Sequence, residues 1–338
     1  MRRKGSKAQA VLARVLRAVV IAAVMAVMVP VGVPGAQAAG AEYWVDIANG
    51  VDDASHGTEA APFKTITYAA SVADGTDTIW VEPGTYSTAN GETLQIILNG
   101  ETLVSTAGAQ TTILQGNGSQ MLLVINGWDD GDRLEGFWFD NGGTGTGAAV
   151  LVNLGYTIAV GSEPVIANNK FTGCDNGTGG ALIVSSPDDS VVTGISVESN
   201  AFSYNTATDG GAFEYDGYGP LDLIDNTFLG NSAEYGGAVA IRSWDAAVAV
   251  VGNDFTDNAA SNSGGAIYWD GHGSQLWHDI ACNWFADNTA ATHPVTRSSR
   301  YRAQRRGRRR RRAGGASRRG RRPGSPRGFR HRRRATLA

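Results

Sequence analysis

One short pattern, written five times between Val165 and Asn288, constrains this chain more than any other feature. Each copy has an apolar, β-branched run, an Asn, one variable residue and a Phe, and usually a second Asn three residues after the Phe. The Asn-x-Phe cores are Asn169–Phe171, Asn200–Phe202, Asn226–Phe228, Asn253–Phe255 and Asn283–Phe285, at intervals of 31, 26, 27 and 30 residues. Gly-Gly-Ala follows four of the five, at Gly179–Ala181, Gly210–Ala212, Gly236–Ala238 and Gly264–Ala266. Self-similarity at such a period is the mark of a solenoid, in which each repeat buries its apolar side only against its neighbours.

The runs inside each copy say what kind of solenoid this is. Ile195-Ser-Val197-Glu, Leu221-Asp-Leu223-Ile and Val248-Ala-Val250-Val alternate with period two, the spacing of a strand. A second short strand is expected after each Gly-Gly-Ala, at Leu182–Val184, Phe213–Tyr215, Val239–Ile241 and Ile267–Trp269. Two or three short strands per turn with no helix between them predict an all-β, single-stranded parallel β-helix. In that frame the Phe column stacks up the interior, and the Gly pair forms a corner that has no room for a Cβ. Asn205, Asn231, Asn258 and Asn288 are expected at bends, each side-chain amide bonding the next rung.

Phe-x-x-Asn followed by Gly-Gly-Ala, as in Phe202–Asn205 and then Gly210–Phe213, resembles the repeat of the polymorphic outer-membrane proteins. More broadly the pattern is similar to right-handed parallel β-helix proteins of the pectate-lyase type. The resemblance implies a right-handed coil and a secreted or surface-displayed protein, often an adhesin. The first copy departs from it with Cys174 in place of the second Asn, and the fifth lacks Gly-Gly-Ala.

Around this centre the chain divides into four parts. Residues 1–38 read as a cleaved signal peptide: a basic start with Arg2, Arg3 and Lys4, an apolar core at Val19–Val29, and Ala36-Gln-Ala38 as the cleavage site. Export to the outside of the cell is therefore expected. The Val19–Val29 core is short for a membrane span, and no later segment reaches the roughly 18 apolar residues that one needs. Residues 41–116 read as a cap with the first rungs. There Phe63, Ile66, Ala69, Ala70 and Ala73 share one helical face, so a short amphipathic helix that includes Lys64 is expected to cover the open end of the coil. Residues 117–290 carry the remaining rungs. Residues 291–338 hold 19 Arg and no Asp, Glu or Lys, a composition that cannot bury a core and predicts disorder. That tail reads either as a basic arm or as the product of a shifted reading frame in GC-rich DNA. The second reading is favoured, so nucleic acid is not the expected partner.

Charge narrows the function. All 32 acidic residues lie between Glu42 and Asp287, against only Lys64, Arg133, Lys170 and Arg242, for a net charge of −28 over that stretch. No cofactor is required by any motif. Such a charge reads first as a solvated surface; Ca²⁺ is the alternative, with Asp52-Asp53, Asp129-Asp130 and Asp188-Asp189 as its weak loop candidates, although Ca²⁺ needs about six to eight converging oxygens. Cys174 and Cys282 lie four rungs apart, roughly 19 Å at about 4.8 Å per strand. A disulfide needs Cα atoms within about 7 Å, so two free, mostly buried thiols are expected.

A lyase on this fold needs a basic residue beside acids, and neither Lys64 nor Lys170 has a recognisable acid cluster around it. Paired carboxylates for hydrolysis are not written as any matching motif, and no catalytic residue is assigned. The positive signal is aromatic. Trp244, Trp269, Trp277 and Trp284 cluster in the last rungs, and Trp284 holds the variable site that is elsewhere Lys170, Ala201, Thr227 and Asp254. Those residue types are polar or small, so the site should face outward, where Trp beside Asp suits glycan or protein contact. Trp269 and Trp277 can instead fill the end of the core. The expected function is a secreted or surface binding module, an adhesin that contacts an extracellular glycan or surface protein. The alternative is a polysaccharide lyase or glycoside hydrolase acting on an acidic polysaccharide.

Overall fold

A computed structural model of the protein describes residues 40–128, 131–143, 148–155, 163–175, 177–186, 194–243, 247–271, 278–292 and 335–337. The expected signal peptide lies outside the described residues, as does the Arg-rich tail between 293 and 334. Within the tail, Ala335–Leu337 forms a short strand antiparallel to Ile267–Trp269.

The chain winds into an all-β parallel solenoid. Apart from that last strand, every paired strand in the three long sheets runs parallel to its neighbours, and strand order in each sheet follows the rungs. The leading sheet has nine strands, from Glu42–Val45 to His278–Ala281, and runs without a break across residue 116. The Asn-x-Phe cores form a second sheet of eight strands, from Gly84–Tyr86 to Trp284–Ala286. The strands after Gly-Gly-Ala belong to a third sheet, also of eight. A small fourth sheet joins Ser232–Tyr235, Ala259–Ser263 and Thr289–Ala290.

Alternation decides what each strand buries. In Ala201–Ser203 the central Phe202 is fully buried while Ala201 is exposed and Ser203 half-buried. Register aligns Phe139, Phe171, Phe202, Phe228, Phe255 and Phe285. Their rings stack with centroids 4.6–5.0 Å apart, within 6° of coplanar from Phe171 onward. This offset-stacked column is the favourable packing of aromatic rings as well as a large apolar burial.

Two Asn ladders hold the corners rather than the single one expected. Asn200 donates from its backbone N–H (2.9 Å) and its Nδ2 (3.1 Å) to Oδ1 of Asn226, and the same pair of bonds links Asn169 to Asn200, Asn226 to Asn253 and Asn253 to Asn283. The second ladder runs Asn205, Asn231, Asn258, Asn288 in the same way. Cys174 enters it through its backbone N–H alone, 3.1 Å from Asn205 Oδ1. The residue before every ladder Asn has a positive φ, as at Ser199 (59°) and Tyr204 (57°), which is how the chain turns sharply. At the third corner a Cβ on Gly237 would lie 2.2 Å from the carbonyl oxygen of Gly265, so only glycine lets successive rungs approach.

The cap helix is shorter than the apolar face implied. It spans Ile66–Val72 and buries Ile66 and Ala69. Lys64 lies just before it rather than within it. Thr65 accepts from the Tyr68 N–H at 3.1 Å, Glu92 from those of Ile66 (2.8 Å) and Thr67 (3.2 Å), and Asp52 from those of Lys64 (2.8 Å) and Thr65 (3.0 Å). These acceptors satisfy the N–H groups that a helix start leaves free. Burial raises the Glu92 carboxyl above its ordinary range, opposed by those same N–H donors. Both cysteines are free, as expected, but only Cys174 is buried. Cys282 is exposed, because it sits at a positive-φ corner whose side chain turns outward.

Candidate functional site

In each Asn-x-Phe strand the Phe faces in, so the variable residue must face out. Parallel register then carries Trp138, Lys170, Ala201, Thr227, Asp254 and Trp284 along one outer column. The two ends of this column differ. At the first, Lys170 Nζ lies 3.5 Å from the centroid of the Trp138 ring, a cation–π contact. The Trp138 Nε1 donates to Thr172 Oγ1 at 2.6 Å, and that hydroxyl donates to Asp140 at 2.8 Å, so this end is satisfied internally. At the other end Trp284 is 59% exposed beside Asp254, whose carboxylate accepts from Thr256 Oγ1 at 2.8 Å.

The four tryptophans singled out from the sequence do not form one surface. Trp284 is on the outer face. Trp269 is only 6% exposed and donates from Nε1 to Ser243 Oγ at 3.2 Å, so it belongs to the core and drops out of the ligand surface. The reason is strand alternation: Ile267 and Trp269 both point inward, with Tyr268 between them half-buried. Trp244 and Trp277 lie outside the described residues.

Tyr204, which sequence reasoning passed over, is 67% exposed at the corner directly after Ala201–Ser203. The signal was present: Gly173, Gly230, Asp257 and Asp287 hold the matching place in other rungs, and a Tyr among them breaks the pattern.

A charged cluster lies on the sheet that follows Gly-Gly-Ala. Arg242 bridges Asp209, at 2.8 Å, and Glu214, and stands in register with Asp216. Burial pushes the Glu214 carboxyl up to about 7; Asp209 and Asp216 push the same way, and Arg242 opposes them. One guanidinium cannot neutralise three carboxylates, so the most enclosed of the three retains a proton near neutrality. The cluster escaped the sequence reading because its members come from a corner and from two different rungs.

Other sequence candidates have local roles. Asp52 holds the start of the helix. Asp53 accepts from the Ser55 hydroxyl at 2.6 Å and contacts His56 Nδ1 at 2.7 Å, and these hydrogen bonds hold its carboxyl well below the usual range. Asp129, Asp130, Asp188 and Asp189 lie outside the described residues. Among the described residues no three His, Cys, Asp or Glu side chains converge on a metal position, and no helix is long and apolar enough to cross a membrane.

Residues 48–260, more than half of the chain, match a family model described as "Protein of unknown function (DUF1565)". No curated protein and no solved structure matches the chain. With a parallel solenoid running through the described part of the matched segment, the chain belongs to the DUF1565 family.

Proposed function

We propose that this DUF1565 protein is an exported binding module that uses the outer face of its Asn-x-Phe sheet to contact a glycan or protein outside the cell. The observation that carries this reading is Trp284, a large ring left 59% exposed in a column whose Asp254 offers a carboxylate beside it. An exposed indole costs hydration that nothing inside the protein repays, and aromatic rings with a polar neighbour are what binding surfaces concentrate. The basic, then apolar, amino terminus supports export, and the Phe-x-x-Asn and Gly-Gly-Ala resemblance supports an adhesin.

The test is a screen of the purified chain against arrayed glycans and extracellular proteins, repeated with Trp284→Ala. Loss of the bound signal with little change in Tm is expected. A large fall in Tm with unaltered binding sinks the idea.

A second reading, hydrolysis of a polysaccharide, draws on Glu214. A carboxyl that keeps its proton near neutral pH beside another carboxylate is what general acid catalysis needs. Reducing ends released from a polysaccharide panel by the wild type and not by Glu214→Gln would favour it. Release by both, or by neither, removes it.

A further inference from the structure

We propose that Tyr204 and Trp284 are two contact points of one elongated site, which takes a neutral oligosaccharide laid obliquely across the outer face of the Asn-x-Phe sheet. This rests on the binding-module reading above and goes further, naming a second contact residue and a ligand class.

Among the described residues the widely exposed large hydrophobic side chains are Val51, Val72, Ile97, Tyr204 and Trp284. The two aromatic members both belong to the Asn-x-Phe sheet, Trp284 on its outer column and Tyr204 at the corner that ends one of its strands. From Ala201–Ser203 the sheet passes through Thr227–Leu229 and Asp254–Thr256 to Trp284–Ala286. Three strand spacings separate the two residues along the axis by about 14 Å, at about 4.8 Å each, and Tyr204 stands three residues past the Trp284 column, roughly 10 Å across at about 3.3 Å per residue. That length suits several linked sugar rings rather than one.

Tyr204 is held there against its backbone preference. Its φ is 57°, a region a bulky residue enters only with strain, and one that glycine or aspartate occupies in the neighbouring rungs. The ring lies over Gly230, where an added Cβ would stand 2.7 Å from Tyr204 Cε1. A strained corner therefore carries a ring that packs no core, and a glycine leaves room for it.

Charge selects the ligand class. Asp254 is exposed on the face between the rings, and Asp257 is exposed at the adjoining corner. The stretch from Glu42 to Asp287 carries a net −28, and Lys170 is engaged on Trp138. A polyuronate, a nucleic acid or another polyanion meets like charge at Asp254 and Asp257, within the field of a strongly acidic stretch. A neutral chain does not: its hydroxyls donate to the carboxylates, and its ring faces stack on Tyr204 and Trp284.

The experiment is calorimetric titration of the full chain with neutral cello-, xylo- and manno-oligosaccharides of two to six units, and with a polygalacturonate hexamer as the anionic comparison. Tyr204→Ala and Trp284→Ala should each weaken binding of the same neutral hexamer by roughly ten-fold, with more modest effects on the dimer. Tyr204→Phe should retain affinity. Tyr204→Gly should lose it while keeping or raising Tm, which separates ligand contact from folding. Full affinity in Tyr204→Ala together with loss in Trp284→Ala overturns the elongated site and leaves the binding face standing. Polygalacturonate bound as tightly as the neutral hexamers overturns the ligand class. No binding of any oligosaccharide by the wild type overturns this inference, while a protein ligand lost in Trp284→Ala would still uphold the binding module.

Discussion

Asn253 Oδ1 accepts two hydrogen bonds from Asn226, one from the backbone N–H at 2.9 Å and one from Nδ2 at 3.0 Å. The Asn226 Nδ2 also donates to the carbonyl oxygen of Val197, at 2.8 Å. One buried amide thus ties together three successive rungs. An aspartate in its place could accept but not donate, and would bring a buried charge.

Replacing Asn226 by Ala strips Val197 of a donor and leaves the Asn200 N–H and Nδ2 without their acceptor, all in a dry interior. At about 1–3 kcal/mol for each unsatisfied buried group, a loss of roughly 3 kcal/mol or more is expected in urea unfolding. Thr227→Ala, one residue on and exposed, should stay within about 0.5 kcal/mol. Similar losses at the two positions would mean the ladder adds no stability.

The tryptophans should separate by role. Trp269→Ala empties a core position and breaks the bond to Ser243, so it should cost about 3–5 kcal/mol and leave ligand affinity intact in whatever fraction remains folded. Trp284→Ala should change stability by no more than about 0.5 kcal/mol. Paired melting curves and binding isotherms check both.

Glu214 makes stability depend on pH in a stated direction. Its carboxyl is raised from 4.5 to about 7 in the folded protein, so the folded state holds the proton more tightly than the unfolded chain. The stabilisation linked to that proton is complete below pH 4.5 and is lost as pH rises through 7. Measured against Glu214→Gln at each pH, the wild type should lose on the order of 2–3 kcal/mol between pH 4.5 and 8. A difference that stays flat across that range would show that Arg242 keeps Glu214 ionised throughout.

The thiols give a simple check on the rungs. Cys282 is exposed and should react in native protein with a thiol reagent at one equivalent. Cys174 is enclosed and burial pushes its thiol up to about 12, so it should react only on unfolding. Two equivalents from the native protein, or a disulfide by mass, would contradict the register.

Much of this architecture is legible in the order of residues, because a solenoid is close to one-dimensional. A residue's neighbours up and down the axis are its own equivalents one period away, so Asn-x-Phe and Gly-Gly-Ala announce the strands, the Phe stack, the Asn rungs and the glycine corner without any knowledge of distant contacts. The same logic places Trp284 outside, since residue types at one column share one environment. Trp269 was equivocal because aromatic character does not say which way a strand residue points. Only the inward alternation of Ile267 and Trp269 decides that.

What remained hidden are meetings between residues that are not each other's equivalents in the repeat. Arg242 meets Glu214 on the adjacent strand, two positions off register, and Asp209 at the corner before that strand, so neither contact joins equivalent positions. Glu92 reaches the helix start from 26 residues away, where the first turn carries a helix that no other turn repeats. Tyr204 stands out in the sequence as a Tyr in a column of Gly and Asp, but the exposure of its ring over Gly230 is seen only in the folded corner. Periodicity carries the stacking of equivalent residues, which is local in the repeat, whereas meetings of non-equivalent side chains depend on how each turn closes, and that is settled by the packed coil.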